Sequence, residues 1–404
     1  MQYKEAVNYL LTQLPMFSRV GAAAYRADLG NIIQLSELLG NPEKHLRCIH
    51  IAGTNGKGSV THIIASVLQE AGYNVGVYTS PHYKDYRERI KINGKLISKG
   101  FVADFVAQYK DDFQHLNASF FEISNALAFH YFHAKKVDFA IIETGMGGRL
   151  DSTNIITPLL SVVTNISFDH QQFLGDTLPK IAKEKAGIIK EKIPVVIGEW
   201  QKETVTVFKE TAKEKHAKLV FASREIELKN ATQNANGIAF EWNNKKYKTD
   251  ISGTYQLKNI STSLQAIETL KLQGVNISNK AITNGLKRVK ENTYFIGRWT
   301  LIQKQPLVFF DSAHNEAGIR ELTAQIAQLK YKKLHFVYGT VSDKDLSKIF
   351  PLFPKNAIYY CCKPDIPRGK NEQELADEFL KNKFSATAFS SVKKAYKTAL
   401  KNAS

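Results

Sequence analysis

The sequence predicts an α/β protein. A mostly parallel sheet is built round a glycine-rich phosphate loop, and a smaller Rossmann-like α/β domain follows it. Three observations predict this. Strand-like and helix-like stretches alternate along most of the 404 residues, the pattern of parallel strands joined by crossover helices. VDFAIIETG (137–145) is apolar without alternation, as in a strand covered on both faces. LRCIHIA (46–52) runs through GTNGKGS (53–59) into a helical pattern, a strand–glycine loop–helix unit suited to phosphate.

Each element follows in order. After the loop, Val60, Ile63, Ile64, Val67 and Leu68 recur at helical spacing and define one apolar stripe. NVGVYTS is a second strand. RIKINGKLIS carries Asn93-Gly94 between alternating residues, which predicts a small hairpin. FFEISNALAFHYFHAKK is helical, and LLSVVTNIS, PVVIG and KLVFAS are further strands with helices between them. Short β-strands with asparagine-rich turns are expected over 224–252, then a helix in TYQLKNISTSLQAIETLKL. A second βα series starts near Arg298 with TLIQKQPLVFFDSA and a helix from Asn315. KLHFVYGT, AIYYCCK and a last helix with Val392, Ala395, Tyr396, Ala399 and Leu400 on one stripe complete it. The boundary is placed in 289–299, giving domains 1–292 and 298–404.

Composition bounds the function. A hydrophobic content of 43% and a charged content of 23% are those of a soluble globular chain. No apolar run reaches the ~18–20 residues needed to cross a bilayer. MQYKEAVNYLLTQL has Lys4 and Glu5 where a signal peptide has an apolar core. Cys48, Cys361 and Cys362 show no metal spacing; reduced thiols and a cytoplasmic location are expected, with Cys361 and Cys362 on opposite faces of a strand. The net charge of +17 suits small polyanions or a solvated basic surface; the lysines are scattered and form no nucleic-acid motif.

Gly53, Gly56 and Gly58 let backbone N–H groups converge on one point, and Lys57 can bridge two phosphates. Thr54, Asn55 and Ser59 complete the loop. The usual pattern places a hydroxyl directly after the lysine as a Mg²⁺ ligand. Here Gly58 stands there and Ser59 comes one position late, so oxygen ligands are expected from neighbouring strand ends. Glu143 ends a strand too apolar for a lone carboxylate, and reads as a Mg²⁺ ligand or a base that positions water, or else as a cap or ion-pair partner. His170 follows Asp169 at a strand end. Ser80, before Pro81, is a ligand or a turn residue. Lys185 reads as one of several surface lysines, with Glu184 beside it for a salt bridge. In the second domain Asp311 suits ribose or phosphate, or caps the next helix, with His314 close by. Arg298 could reach a phosphate, and Asn259 an adenine edge.

Taken together the chain resembles the folylpolyglutamate synthase / dihydrofolate synthase family of the Mur ligase superfamily. The matching stretches are GTNGKGS, YTSPH with RERI, FFE (120–122), ETGMGGRLDSTN (143–154), FDHQQFLG (168–175), IAKEKAGIIK (181–190), YQLKN (255–259), GR (297–298) and DSAHN (311–315). They run in family order over nearly the whole chain. The resemblance implies a Mur-ligase-type central ATPase domain, a smaller C-terminal ligase domain and an active site between them. It implies ATP with two Mg²⁺ ions held by Ser80, Glu143 and His170, and a carbamylated Lys185. It also implies ATP contacts from Asn259, Arg298, Asp311 and His314, and a pterin near Phe121 and Asp151. The implied reaction is ATP-dependent addition of L-glutamate to dihydropteroate or reduced folates through an acyl phosphate, by a monomer without nucleic-acid or membrane partners. A Mur-type ligase acting on a UDP-sugar peptide is the alternative, disfavoured because too little chain precedes the loop for a UDP-binding domain. The family's usual last strand, with a Gly-Ser-x-aromatic pattern, is expected to be missing, since the sequence ends at Ala403-Ser404 after the final helix. Trp299-Thr300 stands where the family commonly has an acidic or amide residue.

Overall fold

An eight-stranded sheet organises the first part of the chain in the computed structural model, which describes residues 1–16 and 28–403. Its strands are β1 (Cys48–Ala52), β2 (Val75–Tyr78), β3 (Ile90–Ile92), β4 (Lys95–Leu96), β5 (Phe139–Glu143), β6 (Leu160–Val163), β7 (Val195–Ile197) and β8 (Leu219–Phe221). The order is β4-β3-β2-β5-β1-β6-β7-β8. The pairs from β2 to β8 are parallel, and β3 and β4 add an antiparallel edge. Asn93 and Gly94 both take positive φ, 47° and 72°, as the two-residue turn between β3 and β4 requires.

β1 and β5 are buried on both faces; the apolar run Phe139–Ile142 of β5 is what such burial requires, while β1 sets the polar His50 among apolar neighbours. On one face Ile49, Ile51, Val77, Phe139, Ile141 and Val162 share a core with the helix Lys57–Glu70 and with the helices Gln256–Leu272 and Asn279–Lys287. The expected single stripe on Lys57–Glu70 is too narrow a description. Every residue from Ser59 to Leu68 is buried, because helices flank it on the sides that the sheet does not cover. On the other face lies Phe120–Ala134, whose start is fixed by a capping box: Glu122 N–H donates to Ser119 Oγ at 3.3 Å, and Ser119 N–H to Glu122 Oε2 at 2.7 Å.

A three-stranded antiparallel sheet fills the region expected to hold short strands: β9 (Lys229–Asn234), β10 (Gly237–Trp242) and β11 (Lys245–Thr249), with Ile238, Phe240, Trp242 and Tyr247 in the same core. Asn243 and Asn244 make its tight turn with φ of 48° and 58°.

Among the described residues, one compact unit takes 1–15 and 28–296, and a second takes Met16 and 297–403. In the second, β12 (Thr300–Lys304) and β13 (Leu307–Phe310) form an antiparallel hairpin of their own, where the sequence suggests the opening of a βα series. The parallel sheet is instead β14 (His335–Tyr338), β15 (Ile358–Cys362) and β16 (Ser385–Phe389). β16 and the helix Glu372–Lys381 before it are not expected from the sequence. SATAF alternates weakly and carries little apolar bulk, so it gives almost no strand signal. The last helix, Val392–Asn402, buries Ala395 and Ala399 against Tyr360 and Cys362. Ser404 lies outside the described residues. The three cysteines are free and buried, and among the described residues no helix is long and apolar enough to cross a membrane.

Candidate functional site

Strand register builds the site. Ile51 of β1 lies opposite Glu143 of β5, and Ala52 lies opposite Val163 of β6. Residues 53–56 therefore leave the sheet with Glu143 on one side and Thr164 to Ser167 on the other. The second side is stitched tightly. Thr54 N–H donates to Asn165 O at 3.0 Å and Asn55 N–H to Asn165 Oδ1 at 2.9 Å. Thr54 Oγ1 donates to Ser167 O at 3.1 Å, and Thr164 Oγ1 to Asn55 O at 2.5 Å. Asn165 and Thr164 do not stand out in the sequence; the available signal is two polar residues directly after an apolar strand.

Gly56 caps the helix Lys57–Glu70 with φ of 85°, and a side chain there would overlap Asn259 Oδ1. Asn259, itself buried, comes close to the loop because Gly56 has no side chain. Gly58 is different. A Cβ there would lie 3.7 Å from Glu143 Oε2, in ordinary contact. The carboxylate of Glu143 thus stands just beyond the place where the missing hydroxyl would project. Ser80 is beside it, its N–H donating to Glu143 Oε2 at 3.3 Å. The Ser59 hydroxyl is buried without a hydrogen-bond partner.

Two lysines converge on one carbonyl. Lys57 Nζ donates to Gly53 O at 3.0 Å and to Thr54 O at 3.3 Å. Lys185 Nζ donates to the same Gly53 O at 2.9 Å. Lys185 is not a surface lysine, and Glu184 is not its partner: Glu184 accepts from Arg149 at 3.0 Å, while Lys185 is buried. Burial, with the nearby Lys57 charge, lowers the Lys185 pKa to about 7.

The ETGMGGRLD segment folds onto the turn that carries Lys185. Arg149 N–H donates to Glu184 O at 2.7 Å. Asp151 is buried, and its oxygens accept from Met146 N–H (2.8 Å), Thr153 N–H (3.0 Å) and Thr153 Oγ1 (2.5 Å). Burial raises its pKa. Phe121 lies over Gly145, where any side chain would overlap its ring, and its centroid is 6.2 Å from that of Tyr78. His170 is exposed, at the start of the short helix Gln171–Leu174, with φ of 49°. Among the described residues no group of three or more His, Cys, Asp or Glu side chains is set to hold a metal ion.

In the second unit Arg298, Asp311 and His314 are drawn together at the ends of the β12–β13 hairpin. Asp311 accepts from Trp299 N–H at 2.7 Å and Ala313 N–H at 2.8 Å. Arg298 donates to Ser312 Oγ, and His314 Nδ1 lies 2.9 Å from Ser312 O. The cap of the following helix is Asn315, which accepts from Gly318 N–H at 2.8 Å, so Asp311 does not serve that role.

Comparison with known proteins agrees with this architecture. Residues 51–267 match the Mur ligase middle domain, and residues 297–404 match the Mur ligase, glutamate ligase domain. These define the class: ATP-dependent ligases of the Mur type. The dihydrofolate synthase/folylpolyglutamate synthase of Bacillus subtilis is 38% identical over 366 residues, covering 86% of this chain and 84% of that protein. A solved structure of Mycobacterium tuberculosis folylpolyglutamate synthase complexed with ADP and AMPPCP superposes with a TM-score of 0.87 at 28% identity, over 99% of this chain and 92% of that one. E. coli FolC in complex with DHPP and ADP gives 0.83 at 28% identity, over 100% and 92%. The chain belongs to the folylpolyglutamate synthase / dihydrofolate synthase family of the Mur ligase superfamily, and it is an ATP-dependent ligase that joins glutamate to folate-type acids.

Proposed function

We propose that the chain adds L-glutamate to dihydropteroate first, and to the terminal glutamate of reduced folates second. The carrying observation is the convergence of Lys57 and Lys185 on Gly53 O beside the Glu143–Ser80 pair. Joining a carboxylate to an amine in water needs activation. The acid's carboxylate attacks the γ-phosphorus of ATP and ADP leaves, giving an acyl phosphate. The α-amino group of glutamate adds to the acyl carbon, a tetrahedral intermediate collapses, and inorganic phosphate and a proton are released.

Lys57 is suited to leave the loop carbonyls for the transferring phosphoryl group and offset its charge. The loop backbone with Thr54, Asn55 and Ser59 cradles the phosphates. Asn259 is proposed to meet the adenine, and Arg298, Asp311 and His314 are proposed as nucleotide contacts. Phe121 and the turn folded by Asp151 are proposed to receive the pterin.

The donor set beside the loop fits Mg²⁺. Glu143, Ser80 and the unpartnered Ser59 hydroxyl are hard oxygen ligands, the type this ion takes. Glu143, Ser80 and His170 would hold it, and its chemistry there is neutralisation of phosphate charge. Lys185, with its lowered pKa, offers a neutral amine near pH 7, which can take up CO₂ and lose a proton to become a carbamate. The lysine then becomes an anion beside Lys57. We propose that the enzyme works as a monomer on these small molecules.

The test supplies ATP and L-glutamate with dihydropteroate or tetrahydrofolate separately and resolves the products by mass. A product one glutamate heavier is expected with dihydropteroate. Lys57→Ala and Glu143→Ala should each lower glutamate-dependent phosphate release at least ~100-fold with the fold intact by circular dichroism. Near-normal turnover in both variants would sink the site assignment.

A further inference from the structure

One buried histidine has no part in the chemistry above. His50 lies in the middle of β1, three residues before Gly53, and is fully buried. Its neighbours Ile49 and Ile51 pack against the helix Lys57–Glu70. His50 alternates to the opposite face, where its Nε2 lies 2.8 Å from Thr153 Oγ1. The Thr153 hydroxyl donates to Asp151 Oδ1 at 2.5 Å, and Asp151 Oδ2 accepts from Met146 N–H at 2.8 Å.

The directions along this chain are fixed. With Asp151 ionised its carboxylate accepts only, and the single hydroxyl hydrogen of Thr153 goes to Asp151. His50 must therefore carry its proton on Nε2 and donate to Thr153. Its Nδ1 is then a bare acceptor, and it is buried without a hydrogen-bond partner. Burial keeps the ring neutral, with Lys190 adding to the effect. An unpartnered buried acceptor costs stability that an apolar side chain would not, so the ring's contribution lies in the Nε2–H bond.

The chain ends under an aromatic wall. Met146 N–H is pinned by Asp151, and the adjoining Gly145 is the residue on which Phe121 lies. We propose that His50 is a positioning residue for recognition of the pterin-bearing acid: through Thr153 and Asp151 it fixes the Gly145–Met146 backbone beneath Phe121. This rests on the reading that such an acid is the substrate and meets Phe121.

The test measures steady-state constants of the full chain for dihydropteroate and ATP. Thr153→Val keeps the shape of the side chain and removes the hydroxyl. His50→Phe removes the donor. Both should raise KM for dihydropteroate about tenfold while kcat and KM for ATP stay within about twofold. Thr153→Ser and His50→Gln, whose amide N–H can stand near Nε2–H, should return KM to within about threefold of the wild type. If His50→Phe does not fold, Thr153→Val with its Ser control carries the measurement. An unchanged KM for dihydropteroate in Thr153→Val, or an equal rise in KM for ATP, overturns the proposal while leaving the substrate reading intact. A wild type that turns over neither dihydropteroate nor tetrahydrofolate overturns both.

Discussion

Gly56 and Gly58 look alike in the sequence, yet they do different work. Gly56 has φ of 85° and no room beside Asn259, whereas Gly58 has ordinary backbone and open contact with Glu143. Gly56→Ala should therefore raise KM for ATP at least ~10-fold, since both strain and overlap fall on the phosphate loop. Gly58→Ser should stay within ~3-fold. Initial rates over an ATP series check both. The departure from the usual loop pattern was legible in the sequence. So was the need for another oxygen ligand, because a carboxylate at the end of an apolar strand, as at Glu143, demands a cation or a hydrogen-bond donor. Lys185 was not legible. Spacing shows neither its burial nor the bond to Gly53 O, which arise only when the 143–151 turn folds onto Glu184.

The buried amine also makes a prediction about pH. The unfolded chain holds the Lys185 proton up to about 10.5, and the folded chain releases it from about 7. Between these values the unfolded state binds more protons, so the contribution of this group to stability rises with pH. In carbonate-free buffer the wild type should gain roughly 2 kcal/mol on Lys185→Met between pH 7 and 9, measured by urea unfolding. The other perturbed lysines are common to both proteins and cancel in the difference.

At the scale of elements, the helices Lys57–Glu70 and Asn279–Lys287 cross with almost no gap. A Cβ on Gly285 would stand 2.5 Å from Val67 Cα, and Ser66 Oγ donates to Gly285 O at 2.6 Å. Gly285→Ala should destabilise by about 1–3 kcal/mol through overpacking. Gly100→Ala, in a helix with open space around it, should instead be neutral or stabilise by up to about 1 kcal/mol. Shifts in the urea midpoint separate the two. Elements with strong local signals, such as the Asn93-Gly94 hairpin and β5, were readable in advance. The all-round burial of Lys57–Glu70 was not, because it depends on helices some 200 residues later in the chain. The β12–β13 hairpin is hidden for a similar reason. Two apolar strands in sequence do not say which sheet they join.

At the scale of the molecule, the two compact units each carry their own core. The net charge of +17 is plain in the sequence but discriminates little, since anionic substrates and a solvated surface both account for it. The cysteines say more. Cys48 lies in β1 of the first unit, and Cys361 and Cys362 lie in β15 of the second; all are buried. Burial raises all three thiols, Cys361 to about 12 and Cys362 to about 11, so reactive thiolate is scarce in the native fold. A thiol reagent can then tag each site only when its own strand opens. Peptide-resolved tagging against time should give two separate rates, one for Cys48 and one for the adjacent pair; a single shared rate would mean that both units open in one step. Nature has left a stopwatch in each half of this ligase, and both can be read without changing a residue.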